Sequence, residues 1–150
     1  MEKTLCVAKE LYNMYRSRFG HNMDQLKMHK LMYFSNRESL MAYNDMLFDE
    51  DFKGWKYGPV LLNVRNEYTT NNLFKNVTGD VSENTRKLLE DVLERYGTMS
   101  SWKLSKLSHE EMSWQHARTG LNSDDNGNVS LNENMLRLDA KRELVARSQQ

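Results

Sequence analysis

The stretch that decides how this chain folds is residues 47–57, which read LFDEDFKGWKY. It interrupts the helical spacing found on both sides of it, because its apolar residues flank an acidic turn instead of recurring every three or four positions. Such a pattern predicts a short extended segment or a small hairpin. Gly58-Pro59 follows directly, and proline is favoured in the first turn of a helix, so we predict that a helix begins there.

Outside this stretch the chain has the composition and spacing of helices. It contains one proline and seven glycines, and apolar residues recur with a helical period in most segments. Helices are predicted over residues 3–19, from Asp24 onward, from Gly58-Pro59, from Ser82 to Gly97, from Ser100-Ser101, from a capping box at Ser108–Glu111, and from a second capping box at Ser130–Glu133 to about Ala146. Leu73-Phe74 and Val77 predict a short strand that ends at Gly79-Asp80. We expect a mostly α fold: a single compact helical domain over residues 1–150, with six or seven helices and a small β-strand element.

Size, charge and hydropathy argue against several classes of protein. The 150 residues suffice for one domain with its own hydrophobic core. The 21 Lys and Arg residues balance the 21 Asp and Glu residues, which argues against a dedicated binder of nucleic acid or anionic membranes. No apolar run approaches the roughly 18 residues of a membrane span, and the N-terminal segment lacks a signal-peptide pattern. We therefore expect a cytoplasmic protein without nucleic-acid or membrane partners.

One segment has the spacing of a calcium-binding loop. Oxygen donors at Asn122, Asp124 and Asn126 occupy the first, third and fifth positions, Gly127 the sixth and Glu133 the twelfth. The first position is a neutral amide where a carboxylate is normally needed, and the chain has no second loop to pair with this one. A polar turn followed by a helix-capping box explains the same residues, so we predict that the loop binds no calcium.

No other group of residues has the spacing of a metal, cofactor or catalytic site. The histidines His21, His29, His109 and His116 include no pair four residues apart, and the single cysteine, Cys6, excludes an intramolecular disulfide. We interpret Asp49-Glu50-Asp51 as a solvated turn, because neighbouring residues of an extended segment point to opposite sides. Phosphate-binding glycine loops and nucleophile motifs are absent from the sequence. We therefore expect no cofactor and no bound metal.

Three segments, in this order, resemble a known family. They are KLMYF at residues 30–34, FDEDFKGWKYGPV at residues 48–60 and LSKLSHEEMSW at residues 104–114. Together they resemble the Panacea domain, the SocA-like antitoxin family of bacteria and their phages. That family has K-L-x-Y-F on its second helix, then an aromatic or acidic stretch into G-P-V, then L-S-x-x-[ST]-H-x-[DE]-x-x-W. The resemblance spans roughly residues 5–145, and the departures, such as Ser113 where proline is frequent, are compatible with a helix.

The resemblance implies a non-enzymatic function in protein binding. Members of the family neutralise a co-encoded protein toxin by direct association, and its namesake is an adaptor that delivers the toxin to a cytoplasmic protease. Two other functions stay open at this point. One is a phage or prophage accessory protein that binds a host protein. The other is a hydrolase in which His109 acts with Glu110 or Glu111, since an imidazole–carboxylate pair can serve as a general base.

The same segments supply the candidate binding residues. We expect the partner to contact Trp55, Tyr57, Pro59 and His109, because exposed aromatic residues are typical anchors of protein interfaces. Trp55 and Tyr57 lie on a charged connector. We expect Trp114, on a short helix with few other apolar residues, to be needed mainly for folding.

Overall fold

The structure is a computed structural model that describes all of residues 1–150. It is mostly α, as predicted, and holds seven helices and one small sheet. The elements are α1 (Thr4–Phe19), α2 (Gln25–Tyr43), β1 (Lys53–Trp55), β2 (Gly58–Val60), α3 (Leu62–Thr69), α4 (Glu83–Tyr96), α5 (Ser101–His109), α6 (Met112–Ala117) and α7 (Glu133–Ser148). The two strands form an antiparallel hairpin, which confirms that residues 47–57 leave the helical pattern.

Several helix ends lie where short-range sequence signals predict them. The side chains of Asp24, Ser82 and Ser100 accept hydrogen bonds from backbone N–H groups three residues later, which caps α2, α4 and α5. α1 ends at Gly20, whose φ of 80° is a left-handed conformation that glycine adopts without strain. Each of these signals acts within one turn of helix, so the sequence alone reveals it.

The second helix is the centre of the fold. α2 packs against the other helices α1, α3, α4, α5 and α7 and against strand β2. Because it is surrounded, it buries polar side chains as well as apolar ones, among them Lys30, Tyr33 and Arg37. Buried polar groups are stable only when they are hydrogen-bonded, so each of these residues must have a partner on a neighbouring element.

The third helix begins later than the sequence predicts. Pro59 lies in the middle of β2, where it pairs with Gly54, and α3 begins only at Leu62. Proline is tolerated there because β2 pairs with β1 alone and is therefore an edge strand. After the strand, the backbone N–H of Leu61 donates to Nδ1 of the buried His29 (3.3 Å), which holds the chain extended up to the helix.

The strand predicted near residue 74 is absent. Leu73 and Phe74 have φ values of 48° and 67°, so the backbone forms a turn in the left-handed region. The carboxylate of Glu67 accepts a hydrogen bond from the backbone N–H of Phe74 (2.7 Å), and the Phe74 ring packs between Tyr12 and Tyr68. These long-range contacts outweigh the local preference of the sequence for a strand.

Both predicted capping boxes are wrong in detail. Ser108 lies inside α5, where its hydroxyl donates to the Ser105 carbonyl, and α6 begins only after Glu111. The carboxylate of Asp139, on α7, accepts from the backbone N–H groups of Met112 and Ser113 at 2.7 and 3.0 Å and so caps α6 from a distant part of the chain. The last helix is capped by Asn132 instead of Ser130.

Candidate functional site

The hairpin turn between β1 and β2 is held by a buried lysine. The ammonium group of Lys30 on α2 donates a hydrogen bond to the backbone carbonyl of Tyr57, and the Lys30 side chain is only 1 % exposed. Burial lowers the pKa of Lys30 from its ordinary value to about 8. Gly58 has a φ of 123°, and a side chain there would overlap the Lys30 ammonium and lie 3.0 Å from the Ser108 hydroxyl oxygen. The glycine of the G-P-V segment is therefore the residue that lets the lysine of the K-L-x-Y-F segment reach the turn.

A second support for the hairpin comes from α5 and α6. The rings of His109 and Trp114 are stacked, with centroids 4.1 Å apart and planes 6° from parallel. The indole N–H of Trp114 donates to the backbone carbonyl of Trp55 (2.8 Å). Desolvation, followed by the nearby positive charge of Lys30, lowers the pKa of His109, so this imidazole is neutral near pH 7. Trp114 thus holds the hairpin backbone, and His109 supports the Trp114 ring by stacking on it.

The loop with calcium-like spacing is organised by an arginine. The guanidinium of Arg118 donates hydrogen bonds to the backbone carbonyls of Asn122 (3.1 Å), Asp125 (2.5 Å) and Asn126 (2.8 Å), and to that of Gly54 in β1 (2.9 Å). Arg118 therefore takes up carbonyl oxygens of the loop and joins the loop to the hairpin. Glu133, the twelfth position of the motif, lies in the first turn of α7 and pairs with Arg137 (3.6 Å).

A buried ionic network joins α2, the residue that precedes α6, and α7. The hydroxyl of Tyr33 lies 2.7 Å from Glu111 and 3.2 Å from Asp139, and Arg37 pairs with the other oxygen of Glu111. Burial raises the pKa of Glu111, while the positive charge of Arg37 opposes this. The side chain of Glu111 thus contacts Tyr33 and Arg37, and no hydrogen bond or ion pair joins it to His109.

The structure places the four candidate binding residues at different depths. Tyr57 lies at the hairpin turn and is 63 % exposed. Trp55 and His109 are half-buried, and the guanidinium of Arg65 lies over the Trp55 ring at 5.2 Å. Pro59 is buried in β2, and its contact with a partner stays a prediction. Pro59 is buried because the face of β2 packs against α2 and α5.

An exposed tryptophan, which the sequence analysis did not select, lies beside the hairpin. Trp102 on α5 is 74 % exposed, and Lys106 lies over its ring at 5.5 Å. The hydroxyl of Ser105, one turn after Trp102, is 3.5 Å from the Tyr57 carbonyl, so this side of α5 faces the hairpin turn. At 3.6 residues per turn, the side chain of Trp102 lies about 200° around α5 from that of the buried Leu104. This two-residue spacing is the sequence signal that predicts the exposure of Trp102. We name Lys56, Tyr57, Trp102 and Lys106 the hairpin–α5 surface.

No helix of the structure is both long enough and apolar enough to cross a membrane.

One of three comparisons with known proteins identifies a family for this chain. The family model described as "Antitoxin SocA-like, Panacea domain" matches residues 28–115, which is more than half of the chain and includes all three signature segments. No curated protein and no solved structure matches the chain. Of the residues in these segments, Lys30 and Trp114 bond the hairpin backbone, Gly58 forms part of the hairpin, and His109 stacks on Trp114. By this match, the chain belongs to the SocA-like antitoxin family and carries its Panacea domain.

Proposed function

We propose that this protein is a non-enzymatic antitoxin that neutralises a co-encoded protein toxin by direct association, through the hairpin–α5 surface. Membership of the SocA-like antitoxin family supports an antitoxin-type role. The single observation that carries the choice of surface is the exposure of two large aromatic residues, Tyr57 and Trp102, on two elements that pack against each other and are held by buried contacts.

The physical properties of this surface suit protein recognition. Tyrosine and tryptophan are enriched among the residues that contribute most to binding. A rigid surface loses less conformational entropy on association, and the turn that carries Tyr57 is fixed by Lys30, by Ser105 and by the Gly58 conformation. Trp102 presents a large and mostly exposed aromatic ring, and tryptophan is among the residue types that anchor protein interfaces most often.

The contacts of His109 favour this proposal over a hydrolase. His109 stacks on Trp114, whereas the carboxylate of Glu111 binds Tyr33 and Arg37. Glu110 is exposed, and no hydrogen bond or ion pair joins its side chain to His109. A general base needs hydrogen-bonding reach to the group that orients it, and neither glutamate contacts the imidazole. We assign His109 a supporting role in the partner site.

The experiment is co-expression with the toxin encoded next to this chain. We expect the wild-type protein to restore growth and to co-purify with the toxin, and we expect Tyr57→Ala and Trp102→Ala each to weaken the complex at least about tenfold. Tyr43→Ala is the matched control, because Tyr43 is an exposed aromatic residue at the end of α2 and lies outside the hairpin–α5 surface.

Each outcome of this experiment has a definite meaning. Equal weakening by the control and the two test variants, or no weakening by the test variants, would refute the choice of surface. A toxin whose activity is unaffected by the wild-type protein, together with capture of a host protein, would favour an accessory function. Measurement of the toxin's half-life, with and without a cytoplasmic protease, separates steric neutralisation from delivery to that protease.

A further inference from the structure

We propose that the hairpin–α5 surface binds an acidic segment of its partner, in which carboxylates stand next to apolar or aromatic side chains. This inference rests on the proposed function for the location of the interface, and it adds the chemistry of the partner. It is based on a local excess of positive charge in a protein whose formal net charge is zero.

The elements around the surface carry cations and hardly any anions. Residues 53–60 and 101–109 contain four lysines and no aspartate or glutamate. The neighbouring α3 contributes Arg65, and its one carboxylate, Glu67, is buried and bonded to the Phe74 N–H. Because the formal net charge is zero, the balancing acidic residues lie elsewhere in the chain. The overall composition therefore does not reveal the local excess of positive charge around this surface.

The two lysines of the surface and the neighbouring Arg65 are also free of ion pairs. None of the ten salt bridges involves Lys56, Arg65 or Lys106. Each of the three lies over an aromatic ring instead, at 5.0 Å for Lys56 on Tyr57, 5.2 Å for Arg65 on Trp55 and 5.5 Å for Lys106 on Trp102. A cation–π contact leaves the outward side of the cation available to a carboxylate.

The same pairing determines what lies beside the carboxylate. A group that binds the Lys106 ammonium is brought next to the Trp102 indole, and one that binds Lys56 is brought next to the Tyr57 ring. The aromatic face contributes binding energy when an apolar group covers it, and the ammonium contributes when a carboxylate approaches it. The complementary segment therefore has both kinds of side chain close together.

A protein segment fits this surface better than a nucleic acid. Proteins that bind DNA through its phosphates make about six to ten phosphate contacts and carry a basic surplus, whereas this surface has two unpaired cations with Arg65 nearby, and the formal net charge of the chain is zero. Electrostatic complementarity between a basic and an acidic protein surface also speeds association and excludes partners of the wrong charge.

The experiment uses peptides as probes on the full-length protein. The acidic probe is a 15-residue peptide in which Glu and Asp alternate with Leu and Tyr. Its twin has Gln and Asn in place of the acids, and a dT15 oligonucleotide is the third probe. Binding is followed by NMR of the ¹⁵N-labelled protein through the indole N–H signals of its three tryptophans, with Trp102 assigned from a Trp102→Phe spectrum.

We expect the acidic peptide to shift the Trp102 signal and the amide peptide to bind at least about tenfold more weakly. The variant Lys56→Glu/Lys106→Glu should lose at least about tenfold in affinity, while the control Lys87→Glu, an exposed lysine on α4 without an ion pair, should bind as the wild type does. Equal binding of the two peptides, tighter binding of dT15, shifts that bypass Trp102, or equal effects of the charge variants would each overturn the proposal.

The two proposals fail in different ways. If the charge-reversed variant still neutralises the toxin as well as the wild type does while Tyr57→Ala fails, the surface is the interface but its partner is not acidic. If the acidic peptide binds at Trp102 while Tyr57→Ala and Trp102→Ala leave toxin neutralisation intact, the surface has the proposed chemistry but is not the toxin interface.

Discussion

Lys30 makes the stability of this protein depend on pH in the alkaline range. Its ammonium is buried against the Tyr57 carbonyl, and burial lowers its pKa from 10.5 to about 8. Between these two values the unfolded chain binds a proton that the folded protein has released. Stability therefore rises with pH wherever the unfolded state holds more protons, which for Lys30 is the window from about 8 to 10.5.

The magnitude follows from the two pKa values. Integrating the difference in bound protons from pH 7 to pH 10 gives roughly 2.5 kcal/mol of added stability, since each pKa unit corresponds to about 1.4 kcal/mol. Lys30→Met keeps a side chain of similar length and cannot titrate. We therefore expect the free energy of unfolding of the wild type, minus that of Lys30→Met, to rise by this amount between pH 7 and pH 10.

The assay is urea denaturation at half-unit steps of pH. The pKa values of Tyr33 and Tyr68 are raised chiefly by burial, so these residues lower stability above pH 10, but both proteins contain them and the subtraction removes their effect. Lys87→Met, at an exposed position, should give a flat difference. If the Lys30→Met difference also stays flat to within about 0.5 kcal/mol, the buried ammonium does not have the environment described here.

Three further predictions concern other parts of the structure. Gly58→Val should destabilise the protein by well over 1 kcal/mol, because a β-branched residue is strained at a φ of 123° and would overlap the Lys30 ammonium; a wild-type denaturation midpoint would contradict this. Millimolar calcium should leave the melting temperature unchanged, because Arg118 binds the loop carbonyls, whereas Arg118→Ala should lower it; a calcium-dependent rise of several degrees would refute the assignment. The pKa of His29 is lowered to about 3, chiefly by burial and then by the charges of Lys30 and Arg65. Between about pH 6.5 and 3 His29 therefore binds a proton only in the unfolded chain, so the free energy of unfolding should fall as the pH decreases across that window. A His29→Gln variant that loses stability as steeply as the wild type would exclude His29 as the cause.

The sequence predicts those parts of the fold that depend on neighbours within one turn. Helix caps at Asp24, Ser82 and Ser100 and the hairpin after residue 47 are of this kind, and the structure confirms them. Asp139 caps α6 from 26 residues away, and no local pattern announces such a contact. The local sequence around Phe74 predicts a strand, but the structure forms a turn there. The hydrogen bond from the Phe74 N–H to the Glu67 side chain competes with the local preference, and only the folded structure reveals it.

The candidate site was predictable to a similar degree. The three motif segments contain the hairpin and the residues that hold it. Lys30, Gly58 and Trp114 each make a contact with or within the hairpin that another residue type would not make, so a sequence motif can mark them. Exposure was harder to predict. Pro59 is buried although its segment is expected to contact a partner. Trp102 is exposed and is not among the predicted binding residues, although its position on α5 is opposite to that of Leu104. Which face of a short helix meets solvent depends on the elements packed around it.

The bond between Lys30 and the hairpin turn reaches the main chain of residue 57 and leaves its side chain unused. Any amino acid supplies the same carbonyl oxygen, so the fold constrains the path of the backbone at this position but not the identity of the residue displayed there. Under the proposed function, substitutions at residue 57 would therefore change what the protein recognises with little loss of stability. On that proposal, a single replacement at the tip of one hairpin would be enough to change the partner, while the lysine beneath it keeps the backbone of the turn constant.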